Sequence, residues 1–264
     1  MVSTVTVHIV KEYWHHNNFV KAIQFFNSDG VLHREDDGPA KELFRKNGSL
    51  KVREWYVNGE LHRVNGPAIE LFHENGLLEG REWYLNGRLH RTNGPAKEYF
   101  CKNGSLGTYI WYLNGKVHRE NGPAIESFHK KNLVWTREWY LDGELNRAYG
   151  PAEEIFYKDG SLKYRGWYLN GKRHRVDGPA VESFYKDSAT LMCREWYLNN
   201  ELHRTDGFAV ECFYENGLLM RHEWYLNGKL HCVDGPAVEH FYENGSLKCR
   251  KWYLNGELQR EECD

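Results

Sequence analysis

The chain has 264 residues, with 35 Lys and Arg against 37 Asp and Glu, and 41 % of its residues are apolar. That apolar content excludes a disordered chain, and a net charge of -2 supplies no basic field to draw nucleic acid or an anionic membrane. No run of roughly 18 apolar residues is present, so no transmembrane segment is expected, and the anomaly left to explain is an aromatic content of 15 %.

In chain order, residues 1–23 come first and read as an N-terminal capping segment. They hold no uninterrupted apolar run of the signal-peptide kind; in Val5-Thr6-Val7-His8-Ile9 apolar and polar residues alternate, as in a strand. Residues 24–260 repeat. A Trp-Tyr pair begins at Trp55, Trp83, Trp111, Trp139, Trp167, Trp196, Trp224 and Trp252, in steps of 28, 28, 28, 28, 29, 28 and 28 residues. A fixed period of this length marks an array of one supersecondary unit. Phe26, followed by Asp29-Gly30 and His33-Arg34, fits the frame as a degenerate first copy, and the last copy stops after Gln259-Arg260, giving about nine units. The tail 261–264 is acidic and would discourage edge-to-edge pairing.

Each unit carries two Asn-Gly or similar turn signals, as at Asn58-Gly59 and Asn75-Gly76. Such a pair between aromatic or branched residues predicts a type I′ hairpin turn, with positive φ at both central residues. A Gly-Pro-Ala step such as Gly66-Pro67-Ala68 breaks the chain again. The intervening segments suit strands and leave no room for an ordinary helix. The expectation is an all-β, elongated antiparallel β-hairpin repeat array. Trp55 and Val57 share one strand face, and Ala68, Glu70 and Phe72 share another. The Trp and Phe columns are expected to stack unit on unit as a buried aromatic seam. Leu50 falls on the Tyr56 parity, which requires either a bulge or apolar residues on both faces. Asp187-Ser188-Ala189 supplies the extra residue of the single 29-residue step and reads as a longer loop.

Three columns carry titratable groups. His33, His62, His90, His118, His174, His203 and His231 stand in one column, which Asn146 and Gln259 also occupy. Asn and Gln replace His as hydrogen-bonding groups but poorly as zinc ligands, and one period separates neighbours too far to share an ion, so the column reads as cross-repeat hydrogen bonding. Arg34, Arg63, Arg91, Arg119, Arg147, Arg175 and Arg204 form a second column. Glu42, Glu70, Glu98, Glu126, Glu154, Glu182, Glu211 and Glu239 form a third, expected to pair with the Arg column or a neighbouring indole as a charge ladder. Eight equivalent copies suit a ladder better than a catalytic site, which needs one asymmetric pocket. The six cysteines are sparse and irregular and read as reduced thiols in a cytosol, with no disulfide expected. No nucleophile elbow and no phosphate-cradling loop is present. The chain is therefore expected to be no enzyme, with no catalytic residue, cofactor or metal ligand.

Columns that repeat in every unit belong to the framework, so a partner must be recognised by columns that vary. Tyr99, before the Phe column, is one candidate. The others depart from the framework: Tyr149 where other copies have Asn or Asp, Arg173 where others have Leu or Val, and Phe208 where others have Pro.

The motif Trp-Tyr-Leu-Asn-Gly-x-Leu-His-Arg-x-x-Gly-Pro-Ala resembles the MORN-like repeats found in large DNA viruses, phages and some bacterial antitoxin-type proteins. The resemblance covers about nine-tenths of the chain, although the period is longer than that of ordinary MORN repeats. It implies a non-catalytic scaffold that contacts a protein partner or copies of itself, as a homodimer or end to end, in a host cytoplasm or virion. Trp-Tyr-Leu-Asn-Gly is also similar to part of the choline- or glucan-binding repeats of bacterial surface proteins, which implies the alternative of an aromatic ligand-binding module.

Overall fold

The computed structural model describes residues 8–15, 18–129 and 133–264, and every regular element among them is a strand. The chain divides into two compact bodies, Met1–Asn132 and Leu133–Asp264. In the first, β1 (His8–Tyr13) pairs with β2 (Val20–Phe26), β2 with β3 (Lys41–Phe44), and β3 with β4 (Leu50–Glu54), all antiparallel. The chain then leaves the sheet to form a small ribbon from β5 (Tyr56–Val57) and β6 (Glu60–Leu61). It returns as β7 (Ile69–Phe72), which pairs with β4, and β8 (Leu78–Glu82) pairs with β7. The pattern continues through Lys97–Phe100, Leu106–Ile110 and Ile125–Phe128, and the second body repeats it from Val134–Glu138 to Glu257–Cys263. The 28-residue unit is thus one four-residue strand, one five-residue strand and a ribbon of two two-residue strands. The fold is an all-β hairpin repeat array.

At its start, β1 is exposed along its length, as befits an edge strand. Of the alternating run foreseen there, His8 and Ile9 lie in β1, while Val5, Thr6 and Val7 fall outside the described residues. The first copy is framed on Phe25 rather than Phe26: the Phe25 amide donates to Ala40, His33 donates back to Phe25, and Arg34 lies over the Phe25 ring. An extra residue in the turn after Phe26 shifts the frame by one. At the other end, residues 261–263 continue the last strand, with Glu261 opposite Lys251 and Glu262 opposite Arg250.

The two Asn-Gly turns of a unit differ. In the ribbon turn Asn58 and Gly59 have φ of 49° and 80°, the expected type I′ form, and Asn199-Asn200 keeps it with 52° and 72° where glycine is missing. In the turn between β3 and β4 only Gly48 has positive φ, 82°. Its amide donates to Arg45 at 2.9 Å, while the Asn47 side chain accepts from the Ser49 amide at 3.0 Å. This is a type I turn closed by a left-handed glycine, so the type I′ expectation holds for the ribbon alone; the Asn47 side chain binding forward is what keeps that residue out of the left-handed region. The register shifts between Leu43 and Phe44, which leaves Phe44 opposite Leu50, and the same shift recurs in later copies. Leu50 owes its parity to this bulge. In the 29-residue copy the turn closes from Tyr185 to Thr190, with Ala189 at a φ of 53°.

The core is not the aromatic seam expected from the sequence. Trp55 is buried, but the other repeat tryptophans and the Phe column are half-buried. The residues with no exposure at all are the alanines of the Gly-Pro-Ala column, from Ala40 to Ala237. Each closes the point where the chain re-enters the sheet: the Ala68 carbonyl accepts from the Trp55 amide at 2.8 Å, and the Ala68 amide donates to Glu82 at 2.8 Å. Backbone hydrogen bonds flank the alanine on both sides, while the larger rings stay partly open to solvent.

The charge ladder exists with a different arginine. Across the first body's strands Glu42 stands opposite Arg53, Arg53 opposite Glu70, Glu70 opposite Arg81 and Arg81 opposite Glu98. In the second body Arg165, Glu182, Arg194, Glu211, His222, Glu239 and Arg250 alternate in the same way. The partner of the Glu column is therefore the residue two before Trp, not the Arg34–Arg204 column expected from the sequence. From that column, Arg91 reaches Glu98 at 3.1 Å and Arg204 reaches Glu211 at 3.9 Å in addition. Directly opposed opposite charges contribute about 0.2–1 kcal/mol per pair. The ladder guanidiniums also sit 5.6–6.0 Å from Phe rings, as Arg53 does over Phe72 and Arg81 over Phe100.

The reduced-thiol expectation is overturned for four cysteines. Cys193 lies opposite Cys212 and Cys249 opposite Cys263 on adjacent strands, with Cα separations of 4.1 and 4.0 Å, and each pair is disulfide-bonded. Strand register, which sequence separation does not reveal, brings them together. With these pairs formed, cysteine usage no longer points to a reducing compartment. Unreduced, denatured protein should show two reactive thiols, Cys101 and Cys232, and fully reduced protein all six; six before reduction would contradict the pairing.

A second test concerns the ladder. Partial burial raises the Glu239 carboxyl, but hydrogen bonds from Arg250 and His222 outweigh it and hold the group below the ordinary 4.5. A depressed carboxyl stabilises the fold above its unfolded pKa, and that contribution is lost as pH falls through the folded value. Glu239→Gln should lower the melting temperature by about 2 °C at neutral pH and by less under acid conditions. Equal shifts across the pH range would remove the ion pairs from the account.

Candidate functional site

The ribbon end of each unit carries most of the invariant chemistry. Arg63 lies flat over the Trp55 ring with its guanidinium carbon 4.1 Å from the centroid, and the corresponding pairs from Arg91 on Trp83 to Arg204 on Trp196 lie at 3.8–4.1 Å. An Nη1 of each arginine donates to the carbonyl four residues on, Pro67 for Arg63 at 3.3 Å and Pro95 for Arg91 at 2.9 Å. On the far side of the guanidinium stands the glycine of Gly-Pro-Ala. A Cβ on Gly94 would come within 2.7 Å of Arg91, and one on Gly207 within 2.9 Å of Arg204. At Gly94 and Gly207, neither of which has a positive φ, an added Cβ would have to push the guanidinium aside, whereas Gly122 and Gly150 have φ of 132° and 113° in addition. In these units the arginine is held between an indole and a glycine, an arrangement in which the cation gains from the ring quadrupole.

The histidine column makes the cross-repeat contact expected of it. The Asn58 amide donates to His33 Nδ1 at 3.0 Å, Asn86 to His62 at 3.2 Å, Asn227 to His203 at 3.2 Å and Asn255 to His231 at 3.1 Å. Where Asn146 replaces His, its Nδ2 donates to Asn170 Oδ1 at 2.9 Å. The backbone adds two rungs in the same place: the Arg63 amide donates to Tyr84 of the next unit and the Gly87 amide to Leu61. At the opposite end of the strands stands a column that the sequence reading missed, the residue after Phe. Tyr157 donates to the Phe184 carbonyl at 2.8 Å, Tyr185 to Phe213 at 2.9 Å and Tyr214 to Phe241 at 2.9 Å, while His73 and Arg45 reach the next Phe carbonyl in their copies. The signal was present as a run of long hydrogen-bonding side chains at one position, broken by the short Cys101.

Between successive loops the surface folds into clefts of one design. In the first body Arg63, Asn65, Trp83, Tyr84, His90 and Arg91 line one of about 580 Å³, and the next copy forms one of about 410 Å³. Two clefts of about 500 and 600 Å³ occupy the same columns in the second body. There the Arg175 and Arg204 guanidiniums, bonded to Asp177 and Asp206, hold those carboxyls below the usual carboxylate range. In several copies the tyrosine beside the Trp is turned to a glutamate: Tyr84 donates to Glu82 at 2.9 Å and Tyr197 to Glu195 at 2.9 Å. Burial, and then the neighbouring carboxylate, raises the tyrosine, to about 12 for Tyr56 beside Glu54. These are arrangements for holding a hydroxyl proton in place, repeated copy after copy.

The four candidate partner residues fall in different settings. Tyr99, in the first body, is half-buried; its hydroxyl donates to Glu82 at 2.6 Å and its ring covers Gly80. Arg173 holds the Tyr168 hydroxyl at 3.4 Å and lies 5.3 Å over Tyr197. Phe208 stacks on His222 at 3.5 Å and meets Trp224 edge-on at 5.4 Å. Tyr149 differs from all three, being 92 % exposed at a loop tip.

No family model matches the chain, and no curated protein does. Among solved structures, it is weakly similar to one described as "Crystal Structure of TcdB2-TccC3 without hypervariable C-terminal region", with 11 % identity and a TM-score of 0.16 over 92 % of this chain and 12 % of that one. A second, "Crystal Structure of TcdB2-TccC3", aligns at 8 % identity with a TM-score of 0.13, over 96 % of this chain and 19 % of the other. The chain thus spans a small part of the length of either.

The Trp–Arg–Gly arrangement is tested by paired glycine substitutions. Neither Gly94 nor Gly235 has a positive φ, but Gly94 faces Arg91 while Gly235 has nothing within 4 Å of the added carbon. Gly94→Ala should displace the arginine and cost about 1 kcal/mol in thermal or urea unfolding, whereas Gly235→Ala should stay within about 0.5 kcal/mol of the parent. Equal costs would show that the glycine serves some other need.

Proposed function

We propose that this chain is a non-catalytic repeat scaffold that binds a protein partner or further copies of itself. The observation that carries the reading is the contrast between spent and unspent surface. The His, Arg, Glu and Tyr columns hold unit to unit or strand to strand, and the clefts use the same columns from copy to copy. The tips that follow the Arg column include large apolar side chains open to solvent. Val64 is 76 % exposed, and in the second body Tyr149, Val176 and Val233 are 92 %, 85 % and 75 % exposed at successive or near-successive tips. Units of two strands place successive tips roughly 10 Å apart, and these exposed apolar side chains, set among Thr92, Glu120 and Thr205 at the same position, offer spaced points of contact to another protein. The MORN-like resemblance belongs to the same proposal, and a virion surface would accommodate both that resemblance and the bonded cysteines.

The alternative of a choline- or glucan-binding module needs ring faces open to the ligand. The Trp faces from Trp55 to Trp196 already carry the chain's own guanidinium at 3.8–4.1 Å, where a ligand cation would sit, which favours the scaffold. Replacing Tyr149 and Val176 together by Ser should leave the melting temperature within about 1 °C of the parent. It should lower self-association in sedimentation, or retention of a partner cross-linked in the native host, by roughly tenfold. Unchanged association and unchanged capture would defeat the proposal, as would saturable quenching of Trp fluorescence by choline.

A further inference from the structure

One unit breaks the arginine pattern, and it does so without losing anything else. In the copy framed on Trp224, Cys232 stands where its siblings have Arg. The backbone there is undisturbed: Trp224 donates to Ala237 at 2.7 Å, His231 to Trp224 at 3.0 Å and Cys232 to Tyr253 at 3.0 Å, as in the other copies. The truncated side chain leaves a gap between ring and glycine. Gly235 has no atom within 4 Å of where a Cβ would stand, at the position where Gly94, Gly178 and Gly207 meet an arginine at 2.7–3.0 Å.

The groups that hold the arginine elsewhere are all still present. Pro179 accepts from Arg175 at 3.2 Å, and Pro236 keeps that carbonyl. Asp177 and Asp206 accept from the Nε of Arg175 and Arg204 at 2.9 Å, and Asp234 occupies the same position. Among the described residues neither Asp234 nor Pro236 has a donor of its own. An indole and a carbonyl are thus left as they stand around a guanidinium in six other copies, and with Asp234 the set matches that of the Arg175 and Arg204 copies, without an arginine. The surroundings are accessible: Asp234 and Val233 are exposed, and Cys232 is a free, half-buried thiol.

We propose that the Trp224–Asp234–Pro236 slot is a recognition site for an arginine side chain presented by a protein partner. The planar cation would lie on the indole and donate to the carboxylate and the carbonyl, the geometry in which Arg is favoured over Lys. The slot gives the scaffold reading its partner chemistry and rests on that reading for its biological meaning, but it is testable without the partner.

The probe is a blocked tripeptide, acetyl-Gly-Arg-Gly-amide, titrated into the intact protein and followed by proton NMR. Expected is one saturable site with a millimolar dissociation constant, and an upfield shift of the arginine δ-methylene protons from the indole ring current. The Cys232→Arg variant fills the slot from within, as its siblings do, and should abolish that shift while melting no lower than the parent. Asp234→Asn should weaken binding roughly tenfold, and the peptide with citrulline in place of Arg should not bind. Equal binding by the parent and Cys232→Arg, or no saturable shift, would overturn the slot and leave the scaffold to the Tyr149 and Val176 test. Free arginine binding far more tightly than the tripeptide would overturn the assignment to a protein partner.

Discussion

The ribbon face of the repeat is organised by a guanidinium resting over an indole ring, an arrangement that recurs from Trp55 to Trp196. The repeat tryptophans after Trp55 are only half-buried, and a half-exposed Trp gains less than a buried one. The Arg of the His-Arg step supplies the missing cover from within the unit. Its carbon stem and planar head shield the ring, its charge meets the ring quadrupole, and its Nη binds the carbonyl of the following loop. Where the arginine is present, it occupies the space that a Cβ on the glycine of Gly-Pro-Ala would take, and the carbonyl of the following residue faces back to accept from it. Ala at the next position is fully buried in all eight copies, Ala237 beside Cys232 included, so its burial follows from the re-entry of the chain into the sheet rather than from the arginine.

Cohesion between units comes from side chains that end on a neighbour's backbone. His62 takes the Asn86 amide, Tyr157 gives to the Phe184 carbonyl, and strand pairs such as Val52 with Leu71 complete the sheet. Every such contact spans one period, so stability is a sum of nearest-neighbour terms rather than the property of one deep core. A copy may lose one rung and keep its place, as the copies holding Cys101 and Cys232 do. That tolerance lets single units diverge, and divergence is where recognition can enter: the exposed tips at Tyr149 and Val176 and the unfilled gap beside Trp224 are both departures from the repeat.

Much of this was legible in the sequence. The 28-residue spacing of Trp, the Asn-Gly pairs and the absence of any helical segment determined an all-β hairpin array, because period, turn chemistry and segment length are local properties. The histidine column announced itself as hydrogen bonding because Asn146 and Gln259 share it. Tyr149, where other copies have Asn or Asp, was visible as a departure from the repeat, but its exposure was not.

Other features were decided only when strands were laid side by side. Which arginine meets the glutamates depended on register: Arg53 lies opposite Glu42 and Glu70, while Arg63 leaves with the ribbon and lies on Trp55. The bonding of Cys193 to Cys212 and of Cys249 to Cys263 depended on the same register, invisible in separations of 19 and 14 residues. The burial of Ala in place of Trp depended on where the chain re-enters the sheet. A repeating sequence determines what each unit is made of, and the distance between side chains on neighbouring strands exists only once those strands have paired.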